Sequence, residues 1–325
     1  VLIHGFEQWQ EKLLDRLRGM FGFAIYNLKD NSLFIARDFF GIKPMHYAQV
    51  GDNFVYGSEI KSILEFPGFE KKFNYRTLDN YLSFQYAVPP ETFFEGVYCL
   101  MPGHYLWYKD GKVTTTRYWE ARFEPDESLT EEQAIDEIEK VFENSVNAHK
   151  ISDVEVGCFL SSGVDSSYVS TYFADQKTFT VGFDFGEKYN EISWAQRLSK
   201  KIGVDHHYKL IKSEEFWGSI KKVQYHMDQP LADPSCIALY FVSKIASEHV
   251  KVVLSGEGAD ELFGGYTCYN DPRVFKVYQK LVPYGLRKGI CSLMKKLPDI
   301  KGRDYLIRAT HPLEDRFIGN AFMYD

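Results

Sequence analysis

The chain lacks the marks of several protein classes. No stretch of eighteen consecutive apolar residues occurs, so no membrane-spanning helix is expected. Cysteine is sparse. The five cysteines, at positions 99, 158, 236, 268 and 291, show neither C-x-x-C spacing nor histidines at zinc-ligand spacing. They read as reduced, buried thiols of a cytoplasmic protein rather than as a disulfide framework or a metal knuckle. An excess of positive charge is also missing. Thirty-eight Lys and Arg against 45 Asp and Glu leave a net charge of −7, which argues against nucleic acid or a membrane surface as partner. Core-forming residues are plentiful, at 45% hydrophobic and 16% aromatic, and 325 residues are enough for two domains.

Residues 154–160 read as a buried strand, with Val154, Val156, Cys158 and Leu160 alternating against Glu155, Gly157 and Phe159. The strand runs into Ser161-Ser162-Gly163-Val164-Asp165-Ser166-Ser167. Residues this small let a backbone close around a bound group. A helix starting near Asp165 adds free N–H groups and the positive end of its dipole, a combination that binds phosphate. It is not a Walker A loop, because the required lysine is absent. A positive φ at Ser162 would cost strain there. The plain alternative is a serine-rich helix cap that binds nothing. A second short strand, 250–254, empties into Ser255-Gly256-Glu257-Gly258-Ala259-Asp260-Glu261, with three carboxylates within five residues. Carboxylates repel a polyphosphate unless a hard cation lies between them, and Asp and Glu oxygens suit Mg²⁺. The plain alternative here is an acidic, solvated loop.

Ser161–Ser166 resembles the Ser-Gly-Gly-x-Asp-Ser pyrophosphate loop of N-type ATP pyrophosphatases, with Ser162 replacing a glycine. Leu254-Ser255-Gly256-Glu257-Gly258-Ala259-Asp260-Glu261-Leu262-Phe263-Gly264-Gly265-Tyr266 resembles the glutamine-dependent asparagine synthetase family. Thr178–Phe183 and Asp228–Ser235 are similar to the same family, and Arg37–Pro44 resembles a structural motif of its glutaminase domain that other class II amidotransferases share.

This resemblance implies an α/β fold: a partial N-terminal-nucleophile glutaminase sandwich over residues 1–120, then a parallel-sheet nucleotide-binding synthetase domain over 130–325. It implies ATP and Mg²⁺ as cofactors, with ATP, aspartate and glutamine or ammonia as small-molecule substrates, and it leaves a homodimer open. Ser161, Ser162, Gly163, Asp165, Ser166 and Ser167 would hold pyrophosphate, and Leu160, Val181, Ser255 and Gly256 the adenosine. Asp165 and Asp260 would bind Mg²⁺, while Glu257 would orient or deprotonate ammonia. The loop 228–235 would lie near the amino-acid substrate. Asn190-Glu191 stands where the family often has Asp-Glu, so no metal role is assigned there. The implied activity adenylates the β-carboxylate of aspartate and then amidates it. A sister ligase acting on another carboxylate, and an inactive interaction module, stay open as alternatives. The family's nucleophilic cysteine, glutamine-holding segments and late catalytic lysine find no counterpart, so the chain is expected to be an internal fragment of a longer enzyme.

Short aromatic and β-branched segments near 22–28, 32–37, 45–50 and 53–58 predict strands, and 76–86 a helix. A hairpin is expected at 105–118 and a polar linker at 124–128. Thr130 and Gln133 have capping-box spacing, followed by a stripe of Ala134, Ile135, Ile138, Val141, Phe142 and Val146. Beyond it, strands at 154–161, 178–183, 206–211 and 250–255 alternate with helices at 165–174, 191–202, 213–227 and 235–249, which predicts a parallel sheet. The basic late segment, with Lys288, Lys295, Lys296, Lys301 and Arg303, reads as a solvated helical face.

Overall fold

A computed structural model describes residues 1–173, 176–184, 186, 190–266, 269, 273–298, 300 and 302–311. The expected roles of Ala174, Cys268 and Lys301 lie outside them. The chain forms two compact units, Val1–Gly256 and Glu257–Asp325.

The first unit begins with helix α1 (Leu2–Trp9) and strands β1 (Gly22–Asn27), β2 (Ser32–Arg37), β3 (His46–Val50) and β4 (Asn53–Gly57). Helices α2 (Ile60–Leu64) and α3 (Tyr75–Phe84) follow, then β5 (Val97–Cys99), β6 (His104–Lys109) and β7 (Lys112–Arg117). Two antiparallel sheets result, ordered β1-β2-β6-β7 and β4-β3-β5. Leu33, Ile35, Met45, Leu100 and Leu106 form one cluster, and Tyr47 of β3 and Phe54 of β4 pack against it, so both sheets contribute. The Arg37–Pro44 motif is a hub of backbone satisfaction. Arg37 is 9% exposed and donates to the carbonyls of Gly41, Lys43 and Leu100, while Asp38 accepts the amides of Phe21, Ile42 and Lys43. Gly41, at φ +67°, lets the chain double back over the Arg37 guanidinium, where a Cβ would lie 2.9 Å from its central carbon. The two charges thus spend their bonds on folding the turn. Burial pushes the Cys99 thiol upward, only partly opposed by the Arg37 charge, so it is not a poised nucleophile.

The same unit continues with α4 (Glu131–His149), β8 (Val156–Phe159), α5 (Val164–Ser170), β9 (Lys177–Phe183), α6 (Ile192–Ile202) and β10 (Asp205–Ile211). Then come α7 (Ser213–His226), α8 (Ser235–Ser247) and β11 (Val252–Leu254). The capping box forms as expected, with Thr130 and Gln133 exchanging side-chain-to-backbone bonds. The stripe behind it is only partly used. Phe142 and Val146 join the core with Val156, Cys158, Val169 and Phe173, whereas Ile135, Ile138 and Val141 are 56%, 43% and 70% exposed. Only the last turns of α4 reach the sheet core. All four strands pair in parallel, in the order β10-β9-β8-β11, as the alternation predicted. β8 is shorter than expected at both ends: Val154 is exposed and outside the strand, and beyond Phe159 the Leu160 amide still bonds to β9 before the turn begins.

The second unit holds α9 (Ala259–Phe263), α10 (Arg273–Leu281), α11 (Tyr284–Lys295) and α12 (Arg303–Thr310). Arg287 donates to the Thr310 carbonyl at 2.7 Å, and Gln279 to those of Ala309 and His311, which ties the helices together. Lys288, Lys295 and Lys296 are exposed, in line with a solvated face.

Candidate functional site

From β8 the chain passes through α5 to β9 on one side, and β11 lies on the other side of β8. That reversal is a topological switch point, where the connections on the two sides leave a crevice outside the carboxyl ends of the strands. Both small-residue turns leave the sheet there, one from β8 and one from β11.

The first turn is closed by its own hydroxyls. Leu160 is 2% exposed, donates its N–H to the Phe179 carbonyl at 2.9 Å, and accepts the Thr180 hydroxyl at its own carbonyl. The hydroxyls of Ser161 and Ser166 lie 2.7 Å apart. The Ser161 amide donates to Ser166 Oγ at 3.1 Å, and the Gly163 amide to Ser161 Oγ at 3.1 Å. Ser167 Oγ donates to the Gly163 carbonyl at 2.6 Å. The three hydroxyls hold the loop in shape. Positive φ among the described non-glycine residues is confined to Gln10, Asn31, Gln85, Asp110 and Asp228, so the strain expected at Ser162 is absent. A short α5, capped at Gly163 with φ −72°, lets the turn form without it.

The Ser162 amide points elsewhere. It donates to Glu191 Oε2 at 3.3 Å, so a carboxylate oxygen already sits where the loop offers an N–H. A phosphate oxygen is the same kind of anionic acceptor. Sequence reasoning gave Glu191 no role. Its signal is positional: it caps α6 while the Asn190 side chain accepts the Ile192 amide at 3.2 Å.

The second turn touches the first through Gly256. A Cβ there would lie 2.7 Å from the Ser166 nitrogen and 2.9 Å from both the carbonyl carbon and the Cβ of Asp165. Only glycine brings the two turns this close. Gly256→Ala must push the first turn of α5 aside by a fraction of an ångström or more. It is expected to destabilise this unit by about 1–3 kcal/mol, read as a lower melting temperature. Gly218→Ala serves as control, since nothing lies within 4 Å of a Cβ there. Equal melting of both variants would show that the contact between the turns is dispensable.

Val181 lies within the body of β9, paired with Lys209, and its side chain packs between two apolar clusters rather than in the loop. Ser255 is exposed beside Gly256. Glu257 and Asp260 belong to the second unit. There Gly258, at φ 92°, starts α9, and the Asp260 carbonyl accepts the Gly265 amide at 3.0 Å. Glu261 accepts the Tyr266 hydroxyl at 2.9 Å, which with burial lifts that phenol to about 12. Among the described residues no three His, Cys, Asp or Glu side chains are grouped to hold a metal. Asp165 and Asp260 each offer a carboxylate, the donor that Mg²⁺ takes when phosphate oxygens and water complete its shell.

Residues 137–317 match the asparagine synthase family, and residues 1–119 match a glutamine amidotransferase domain. Asparagine synthetase [glutamine-hydrolyzing] 1 of Bacillus subtilis is 38% identical over 331 residues, covering 100% of this chain and 52% of that protein. A putative asparagine synthetase of Mycobacterium bovis is 38% identical, covering 98% and 51%, and the amidase chyE of Penicillium rubens is 29% identical, covering 83% and 43%. The chain spans about half the length of the curated relatives it matches. Among solved structures, a B. subtilis glutamine phosphoribosylpyrophosphate amidotransferase complexed with ADP and GMP aligns over 61% of this chain and 34% of its own, with a TM-score of 0.24 at 14% identity. That likeness is too slight to add to the family match. With more than half of its residues covered by that match, the chain belongs to the asparagine synthase family.

Proposed function

We propose that residues 130–325 carry the adenylating centre of an ATP-dependent asparagine synthetase, and residues 1–120 the later part of the glutaminase that feeds it. An aspartate β-carboxylate does not react with ammonia, because oxide is a very poor leaving group. Attack of that carboxylate on the α-phosphorus of ATP forms β-aspartyl-AMP and releases pyrophosphate. Attack of ammonia on the acyl carbon then gives asparagine and AMP, with a proton lost from nitrogen. In the first step negative charge builds on the departing pyrophosphate. The Ser162 N–H, which already faces a carboxylate, and those opening α5 at Val164 and Asp165 are suited to receive it, the turn being fixed in advance by the Ser161–Ser166 pair. Mg²⁺ held by Asp165 and Asp260 would supply charge neutralisation on the polyphosphate. Leu160, Val181, Ser255 and Gly256 belong with the adenosine, and Glu257 with ammonia.

The observation that carries this reading is the contact of Gly256 with Asp165 and Ser166 at the switch point, inside a chain of this family. Four free, buried cysteines among the described residues support a cytoplasmic location. Pyrophosphate exchange by the full-length protein tests it, run with aspartate, glutamate and bulkier carboxylates. Exchange is expected with aspartate first. Exchange driven by another carboxylate and not by aspartate would assign a sister ligase instead, and exchange with none would overturn the adenylation reading.

A further inference from the structure

The loop between α7 and α8 is held from two sides. Its far end opens α8, whose first residues Cys236 and Ile237 pack in one cluster with Phe183 and Ile211, the last residues of β9 and β10. That end therefore stands at the carboxyl edge of the nucleotide sheet, where ligands bind in such folds. Its near end is gripped by the glutaminase half. Asp228 Oδ1 pairs with Lys61 Nζ at 2.5 Å, and Asp228 Oδ2 accepts the Ile60 amide at 2.6 Å. Gln229 Oε1 accepts the Phe93 amide at 3.2 Å, and the Ala232 amide donates to the Gln85 carbonyl at 3.0 Å.

The grip is chemically particular. The side chains of Asp228 and Lys61 are only 9% and 23% exposed, and with Lys61 Nζ also 3.2 Å from Glu59 Oε2 it is Asp228 that depends on the ammonium for the solvation burial removes. Burial opposes the Lys61 charge, but the carboxylates of Asp228 and Glu59 beside it outweigh that and raise the ammonium pKa. Asp228 also takes a left-handed φ of 65°, a conformation that needs to be held. On the other side Ile60 and Ile63, 1% and 0% exposed, root α2 against Ala48, Val50 and Val97 of the β4-β3-β5 sheet. A shift of the loop is thus felt directly by α2.

We propose that Lys61 and Asp228 are a positioning pair that ties occupancy of the acceptor-carboxylate site to the glutaminase half. This rests on the adenylation reading above. The pair sets the loop for the acceptor and makes glutamine hydrolysis follow acceptor binding; it touches neither reacting centre.

The test uses the full-length protein with Lys61→Met and Asp228→Asn, the latter chosen because Asn tolerates a left-handed φ. Synthesis is followed with ammonia and with glutamine, and glutamate released is counted against AMP formed. In both variants the KM for the acceptor is expected to rise and the glutamate-to-AMP ratio to grow about fivefold or more, with ammonia-dependent kcat kept within about twofold. Lys61→Arg, which keeps the charge, should return the ratio toward the parent value. An unchanged ratio in either folded variant, or equal loss of the ammonia and glutamine reactions, overturns the proposal. Absence of aspartate-dependent exchange in the parent protein would instead refute the underlying adenylation reading.

Discussion

Asp165→Asn in the full-length protein is expected to reduce aspartate-dependent pyrophosphate exchange about a hundredfold or more, and Asp260→Asn to do the same. The substitution keeps size and one acceptor oxygen but removes the charge. A lost transition-state contact to a metal-bridged polyphosphate costs about 3 kcal/mol, which is roughly that factor in rate. The competing account makes Asp165 an ordinary acid in the first turn of α5. There its charge would stabilise the helix by at most about 1 kcal/mol and leave exchange untouched. The two accounts therefore separate on one assay, read beside a thermal melt. Normal exchange by Asp165→Asn would end the metal assignment for that residue.

Glu257→Gln is expected to split the two half-reactions. A group acting on ammonia is needed only once β-aspartyl-AMP exists, so exchange should persist in part while asparagine formation from free ammonia falls about a hundredfold or more. Glu261→Gln is the comparison. That carboxylate already accepts the Tyr266 hydroxyl, and a glutamine amide oxygen can accept the same bond, so both activities should largely survive. If Glu257→Gln lowers exchange and synthesis in equal proportion, its role lies in pyrophosphate departure instead. Equal tolerance at both positions would return 257–261 to an ordinary solvated loop.

Local chemistry made much of this legible. Val156 and Cys158 against Gly157 and Phe159 signalled a strand, and the serines after them signalled a turn, because both signals lie within a few residues. The Thr130–Gln133 box was readable for the same reason. What escaped was long-range. Nothing in the sequence periodicity says that β11 pairs with β8 on the side away from β9, yet that pairing brings Gly256 to Asp165. Glu191 reaches Ser162 across 29 positions and Asp228 reaches Ile60 across 168, so neither leaves a local signature. The apolar stripe of α4 was correctly seen as helical. Periodicity could not say that only Phe142 and Val146 would find the core.

The pairing of Val156 with Val252 also has a consequence during synthesis. The second strand of that pair leaves the ribosome nearly a hundred residues after the first, a delay of roughly 5–20 s at ordinary elongation speeds. Throughout that interval β8 has β9 available on one flank and an unpaired row of amides and carbonyls on the other. The nascent chain therefore carries a sticky ledge along β8. Only the pairing of residues 252–254 with residues 156–158 seals it. Slower translation across residues 160–250 should lengthen this exposure and raise demand for chaperones that hold unfinished sheets.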